Sequence, residues 1–207
     1  MGKIVAMGTD GAAVMIGKSS GVVRKIAEET QRPFVRAIHC SAHRLELAAK
    51  DAGKEVNMAK KCDLLMLNLY LFYRYSPLNR SNLKIAFRSM DKKIKIPTRV
   101  GGTRWLPHTE KALKTLLSSY DAIVCHLEQM QATPSDFRKE SSAKGRWFLK
   151  LLKNKGVVQW LHFLMDVIKC LSKVSKTIQT KESTLADIFN ELESAKVILN
   201  KYLTRLW

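Results

Sequence analysis

Residues 4–11, IVAMGTDG, and residues 38–43, IHCSAH, decide the fold of this chain. In the first, β-branched and small apolar side chains run up to Gly8 and then break into the polar turn Thr9-Asp10-Gly11. That pattern predicts a strand over 4–7, buried on both faces. Residues 18–31 then carry Val22, Val23, Ile26 and Ala27 at helical spacing, with Ser19 or Ser20 available as a cap and Pro33 beyond the end. A second strand over 34–38 and a second helix over 42–52, stopped by Gly53, complete the pattern. A strand-helix-strand crossover makes the strands parallel and the connection right-handed. It therefore brings Asp10 and Cys40-x-x-His43 to the carboxyl ends of neighbouring strands, where sites on α/β sheets gather.

Two strands alone do not make a stable sheet, and no later segment has strand periodicity. From Met58 onward the pattern is helical. Residues 64–73 read as a buried helix, too short and too polar at Asn68 and Arg74 to cross a bilayer. Leu113, Leu116, Leu117, Tyr120, Val124 and Leu127 share a helical face. Two amphipathic helices follow, one defined by Val157, Leu161, Leu164, Ile168 and Leu171, the other by Leu185, Ile188, Leu192, Leu199 and Leu203. Thr184, three residues before Asp187, marks the start of the last one. The expected fold class is α+β, predominantly α: a βαβ unit over 1–56, then an all-helical region over 57–207. Residues 133–143, polar, Ser-rich and Pro-containing, are the expected linker within it.

The charge balance narrows the function. Against 18 acidic residues stand 36 basic ones, a formal net charge of +18 that a metabolic enzyme has little reason to carry. A polyanion, DNA or RNA, is the expected partner. The surplus is uneven: residues 74–104 hold nine cations and one acid, and residues 138–155 hold seven and one. The expected phosphate contacts are Arg88, Lys92, Lys93, Lys95 and Arg99 from the first run, and Arg146, Lys150 and Lys153 from the second. Any one of these also serves simply to solvate a helix face. Cys40, Cys62, Cys125 and Cys170 are widely spaced with no signal peptide ahead of them, which points to free thiols in a reducing compartment. No membrane partner is expected.

Four motifs have chemical readings. Gly17-Lys18-Ser19 follows a strand, but Ala12 stands where a phosphate-cradling loop needs its first glycine. Cys40-x-x-His43 is half of a zinc site with no second half, since nothing motivates His39, His108, His126 or Cys62 as further ligands. A structural role at a strand-to-helix turn suits it better, and no metal site is expected. Asp10 is a turn former in its own right, because Asp-Gly favours turns. Two-metal chemistry needs several carboxylates, and no other acid sits at a strand end. Gly101-Gly102-Thr103-Arg104-Trp105 pairs a cation with an indole that either clamps a nucleic-acid strand or anchors the following helix in the core.

Three stretches together, TDGAAVMIGKSSGVV over 9–23, IHCSAHRLELA over 38–48 and GTRWLPHTEKAL over 102–113, resemble the hAT (hobo/Ac/Tam3) superfamily of transposases. The similarity is greatest to its domesticated vertebrate members, the zinc-finger-containing transposase-derived proteins. The resemblance implies an RNase H-like domain interrupted by an all-helical insertion, with three acids binding divalent metal. Asp10 matches the second acid, Cys40 and His43 the family's C-x-x-H, and Arg104 with Trp105 its R-W element. The first acid would lie on an earlier strand and the final Glu after the insertion. Neither has a counterpart here, and Glu191 and Glu193 on an amphipathic helix do not take the role. The resemblance thus implies a partial, catalytically inactive relative, without cofactor unless Mg²⁺ or Mn²⁺ enters a site completed in trans, acting in the nucleus on DNA. The alternatives are a protein-interaction or homo-oligomerisation module using the amphipathic helices, and a nuclease or transposase completed by another chain.

Overall fold

The computed structural model describes residues 4–101 and 105–204. Its first strand, β1 (Ala6–Thr9), runs through two helices, α1 (Ala13–Ile16) and α2 (Val22–Glu29), into a parallel partner, β2 (Arg36–His39). The register pairs Ala6 with Arg36 and Thr9 with His39. Both strands sit about two residues further along than the apolar runs suggest, because backbone pairing, not side-chain hydrophobicity, sets their ends. The Cys40 N–H closes the ladder on the Thr9 carbonyl at 2.8 Å. Helix α2 starts late for a similar reason: Gly21 stands at its cap and neither Ser19 nor Ser20 caps it.

The expectation that the first strand is buried on both faces is overturned. Ile4 is 36% exposed and Val5 66%, and among the described residues no third strand flanks the pair. Apolar β-branched residues predict a covered strand only when a covering layer is present. Here the two-stranded edge is open to solvent.

The rest is helical, and helices make up 74% of the described residues, so the class is α+β, predominantly α. Helix α3 (Ser41–Lys54) leads into α4 (Asn57–Arg74), which places Cys62, Leu65, Met66, Leu69, Phe72 and Tyr73 in the core. Around it pack α5 (Pro77–Ser89), α8 (Lys139–Leu152) and α9 (Lys155–Gln179), while α6 (Trp105–Ser118) lies on α9. Helix α7 (Tyr120–Ala132) is held between α5 and α8, and α10 (Leu185–Thr204) lies on α9. One hydrophobic cluster runs through α4 to α9, with Leu45 of α3 against it.

Local chemistry sets most of these boundaries. Ser76 Oγ accepts the Asn79 N–H at 3.2 Å with Pro77 in the first turn, and Asn154 Oδ1 accepts the Val157 N–H at 3.1 Å. Thr184 and Asp187 cap α10 reciprocally: Asp187 Oδ2 accepts the Thr184 N–H at 2.8 Å, and Thr184 Oγ1 accepts the Asp187 N–H at 3.2 Å. The single face expected through Leu113 and Leu127 is instead two helices broken at Ser119. That buried side chain donates back to the Thr115 carbonyl at 2.5 Å, a local bond that competes with the helix ladder. Residues 133–143 contain a short 3₁₀ turn, Pro134–Asp136, and the opening of α8. There the buried Ser142 accepts from Gln131 Nε2 through its carbonyl at 3.1 Å, which ties α8 to α7.

Candidate nucleic-acid interface

At the strand ends, Asp10 and the C-x-x-H element do come together. Asp10 is exposed, and its Oδ1 accepts the Ala12 N–H at 3.0 Å, a side-chain turn. Thr9 Oγ1 accepts the Gly11 N–H at 3.2 Å. Gly11 has φ +81°, and a Cβ there would lie 2.8 Å from the His39 ring, so both backbone and space require glycine. The His39 ring stacks tilted on His43 with centroids 5.6 Å apart. Cys40 forms the entry to α3 with its thiol exposed and free. Among the described residues no group of three or more His, Cys, Asp or Glu is arranged to hold a metal ion. The cluster lies at the turn from β2 into α3.

Trp105 opens α6 and packs half-buried against the core cluster. Its backbone N–H donates to Glu46 Oε2 of α3 at 3.0 Å, so a buried carboxylate satisfies one of the orphan donors at the start of α6. Arg104 lies outside the described residues. Glu46 escapes sequence reasoning, because nothing in the local pattern of α3 marks it as the cap of a helix 59 residues away.

The eight described cations form a more organised set. Arg88, Lys92, Lys93, Lys95, Arg99, Arg146, Lys150 and Lys153 are all exposed. Arg88 lies near the end of α5, and Lys92 to Arg99 fall in the segment that follows; Arg146, Lys150 and Lys153 recur at spacings of four and three along α8 and its end. Since α5 and α8 both pack on α7, parts of the two sequence-distant runs, Arg88 with Lys92 and Arg146 with Lys153, come to one helix. Their side chains reach it: Lys92 pairs with Asp121, Lys153 with Glu128 at 2.6 Å, and Arg146 Nε donates to Gln131 Oε1 at 3.2 Å. Asp121 and Glu128 stand two turns apart on one face of α7, about 10 Å along its axis.

These ion pairs are exposed, so each is worth at most about 1 kcal/mol and yields readily to a competing phosphate. Arg88, Lys93, Lys95, Arg99 and Lys150 make no ion pair among the described residues. The arrangement offers a polyanion five unpaired cations and three more at low cost. No helix among the described residues is long and apolar enough to cross a membrane.

No protein-family model matches the chain, and no solved structure matches it.

Proposed function

We propose that the protein binds nucleic acid without sequence preference, through the cations that flank α7, and that it is a catalytically inactive relative of the hAT transposases acting on DNA in the nucleus. The observation that carries this reading is the convergence of two separate basic runs on one helix in a chain of net charge +18. Phosphate contacts of this kind position a protein on a duplex and carry no sequence information. The motif resemblance supports the ancestry. The exposed strand pair at Asp10, with one acid where metal-dependent cleavage needs several, supports inactivity.

The test is fluorescence anisotropy on a labelled duplex across a salt series, with cleavage followed in Mg²⁺ and Mn²⁺. If the five unpaired cations each neutralise one phosphate, the log–log slope is about −4.5, a roughly 500-fold loss of affinity between about 50 and 200 mM salt. Absence of binding at the low end rejects the proposal. Cleavage that Asp10→Asn abolishes would instead establish an enzyme completed in trans.

A second reading, self-association, is favoured by α10. Leu185, Phe189, Leu192, Lys196, Leu199 and Leu203 recur at alternating spacings of four and three, the seam of a coiled coil. Leu185, Phe189, Leu192 and Leu203 are exposed, whereas Tyr202 packs on Phe163 of α9 with ring centroids 5.9 Å apart. The charges choose the partner. In the first half of α10 Glu191 is held by Lys173 of α9, which leaves Asp187 and Glu193 to face Lys196 and Lys201 of the second half in an antiparallel second copy, whereas a parallel one stacks Lys196 on itself. Sedimentation equilibrium should find a dimer at high salt that Leu192→Glu dissociates. A wild-type monomer removes this reading.

A further inference from the structure

Between the α4–α5 corner and the first half of α8 lies an open groove of about 900 Å³, walled in part by the start of the second basic run. Tyr75, 78% exposed, and Trp147, 42% exposed, both line it, as do Asn79, Arg138 and Lys144. Asn79 is the unusual member. It is 1% exposed, and neither its side-chain oxygen nor its side-chain nitrogen has a hydrogen-bond partner. A buried amide normally finds partners for both. Its backbone N–H is already taken by Ser76, so the orphaned groups are those of the side chain alone.

Three requirements follow for an occupant. Exposed indole and phenol faces call for a flat partner. A donor and an acceptor side by side on one buried amide call for a polar edge that offers the reverse pair, as base edges do. The cations call for an anion. Lys144 is already held by Glu140 at 2.5 Å, and Glu140 also lines the groove, so the anion falls chiefly to Arg138, which makes no ion pair among the described residues. A purely apolar ligand would leave Asn79 orphaned, and an inorganic anion would leave the rings uncovered.

We infer that this groove seats one nucleotide, its base on Tyr75 and Trp147 and its phosphate at Arg138, with the Asn79 amide turning out of its buried position to meet the edge of the base. The inference rests on the nucleic-acid reading above only for the source of that nucleotide. In a strand it must be unpaired, because a base inside a duplex exposes no face to stack. The groove therefore adds a preference for single strands to the non-specific attraction of the α7 flanks.

The experiment uses the full chain and three probes: labelled oligo(dT) of about twelve nucleotides, a labelled duplex, and AMP as competitor. Tyr75→Ala and Trp147→Ala remove exposed rings and should each weaken single-strand binding about 5- to 150-fold while leaving the duplex unchanged. Asn79→Leu, which replaces an orphaned amide by an apolar group of similar size, should keep or raise the melting temperature yet weaken single-strand binding. A merely structural Asn79 would show the opposite. Displacement of the strand by AMP, lost in Tyr75→Ala, would show that a free nucleotide suffices; no displacement would show that the strand supplies it. Single-strand affinities of the variants equal to wild type, with duplex binding intact, overturn the groove and leave the α7 flanks standing. AMP binding that Tyr75→Ala abolishes, without binding of strand or duplex, removes the flanks and keeps the groove. No binding of any probe overturns both.

Discussion

Acidification should destabilise this protein through one buried side chain, His126. The imidazole is fully buried in α7, its Nδ1 shares a hydrogen bond with Tyr73 Oη at 3.0 Å, and its Nε2 has no partner among the described residues. Burial lowers its pKa from 6.5 to about 4. The same burial raises that of Tyr73, so the phenol stays neutral. Between those two values the unfolded chain binds a proton that the folded chain refuses, so stability rises with pH across that window. The contribution is complete above about pH 6.5 and is lost as pH falls toward 4. At about pH 5 the loss is about 2 kcal/mol, a large part of the 5–15 kcal/mol typical of a domain. Urea unfolding followed by circular dichroism at about pH 7.5 and pH 5 measures it. The control is the double variant Tyr73→Phe/His126→Leu, which replaces both hydrogen-bonding partners by apolar groups and should be close to neutral at the higher pH. Wild type should lose about 2 kcal/mol more than the control between the two pH values. Equal losses would refute the assignment of the pH sensitivity to His126.

Three further outcomes follow from the geometry. Glu46→Ala removes the acceptor of the Trp105 N–H and should cost about 0.5–2 kcal/mol in thermal unfolding, as loss of a helix cap does. Gly11→Ala puts a Cβ 2.8 Å from the His39 ring at φ +81° and should cost at least about 1–2 kcal/mol, with NMR changes at His39 and His43 and unchanged signals from α7. Thr184→Ala breaks the reciprocal cap of α10 and should speed amide exchange in its first turn, with about 1 kcal/mol lost locally and little change in the global unfolding midpoint.

Features written over a few residues were legible in the chain. The helix of residues 64–73 follows from an apolar run with helical spacing, and the α10 cap from the spacing of Thr184 and Asp187. Local writing has limits: the spacing from Leu113 to Leu127 reads as one continuous helical face, yet the Ser119 hydroxyl inside it bonds backward and the chain turns. Ile4 and Val5 looked like a covered strand, yet no layer lies over them among the described residues. Of the candidate interface, the eight cations could be named one by one. Their meeting around α7 could not, because nothing near Lys92 or Lys153 points to Asp121 or Glu128.

By itself, then, the sequence determined the element types, the parallel βαβ order and the excess of positive charge, because backbone propensity, side-chain spacing and capping act across a few residues. The tertiary structure alone decided that the basic runs share a helix, that Glu46 caps α6, and that Tyr75, Asn79 and Trp147 line one groove. Those juxtapositions come from packing helices distant in sequence against a common core, where the fit of whole faces outweighs any signal that adjacent residues can carry.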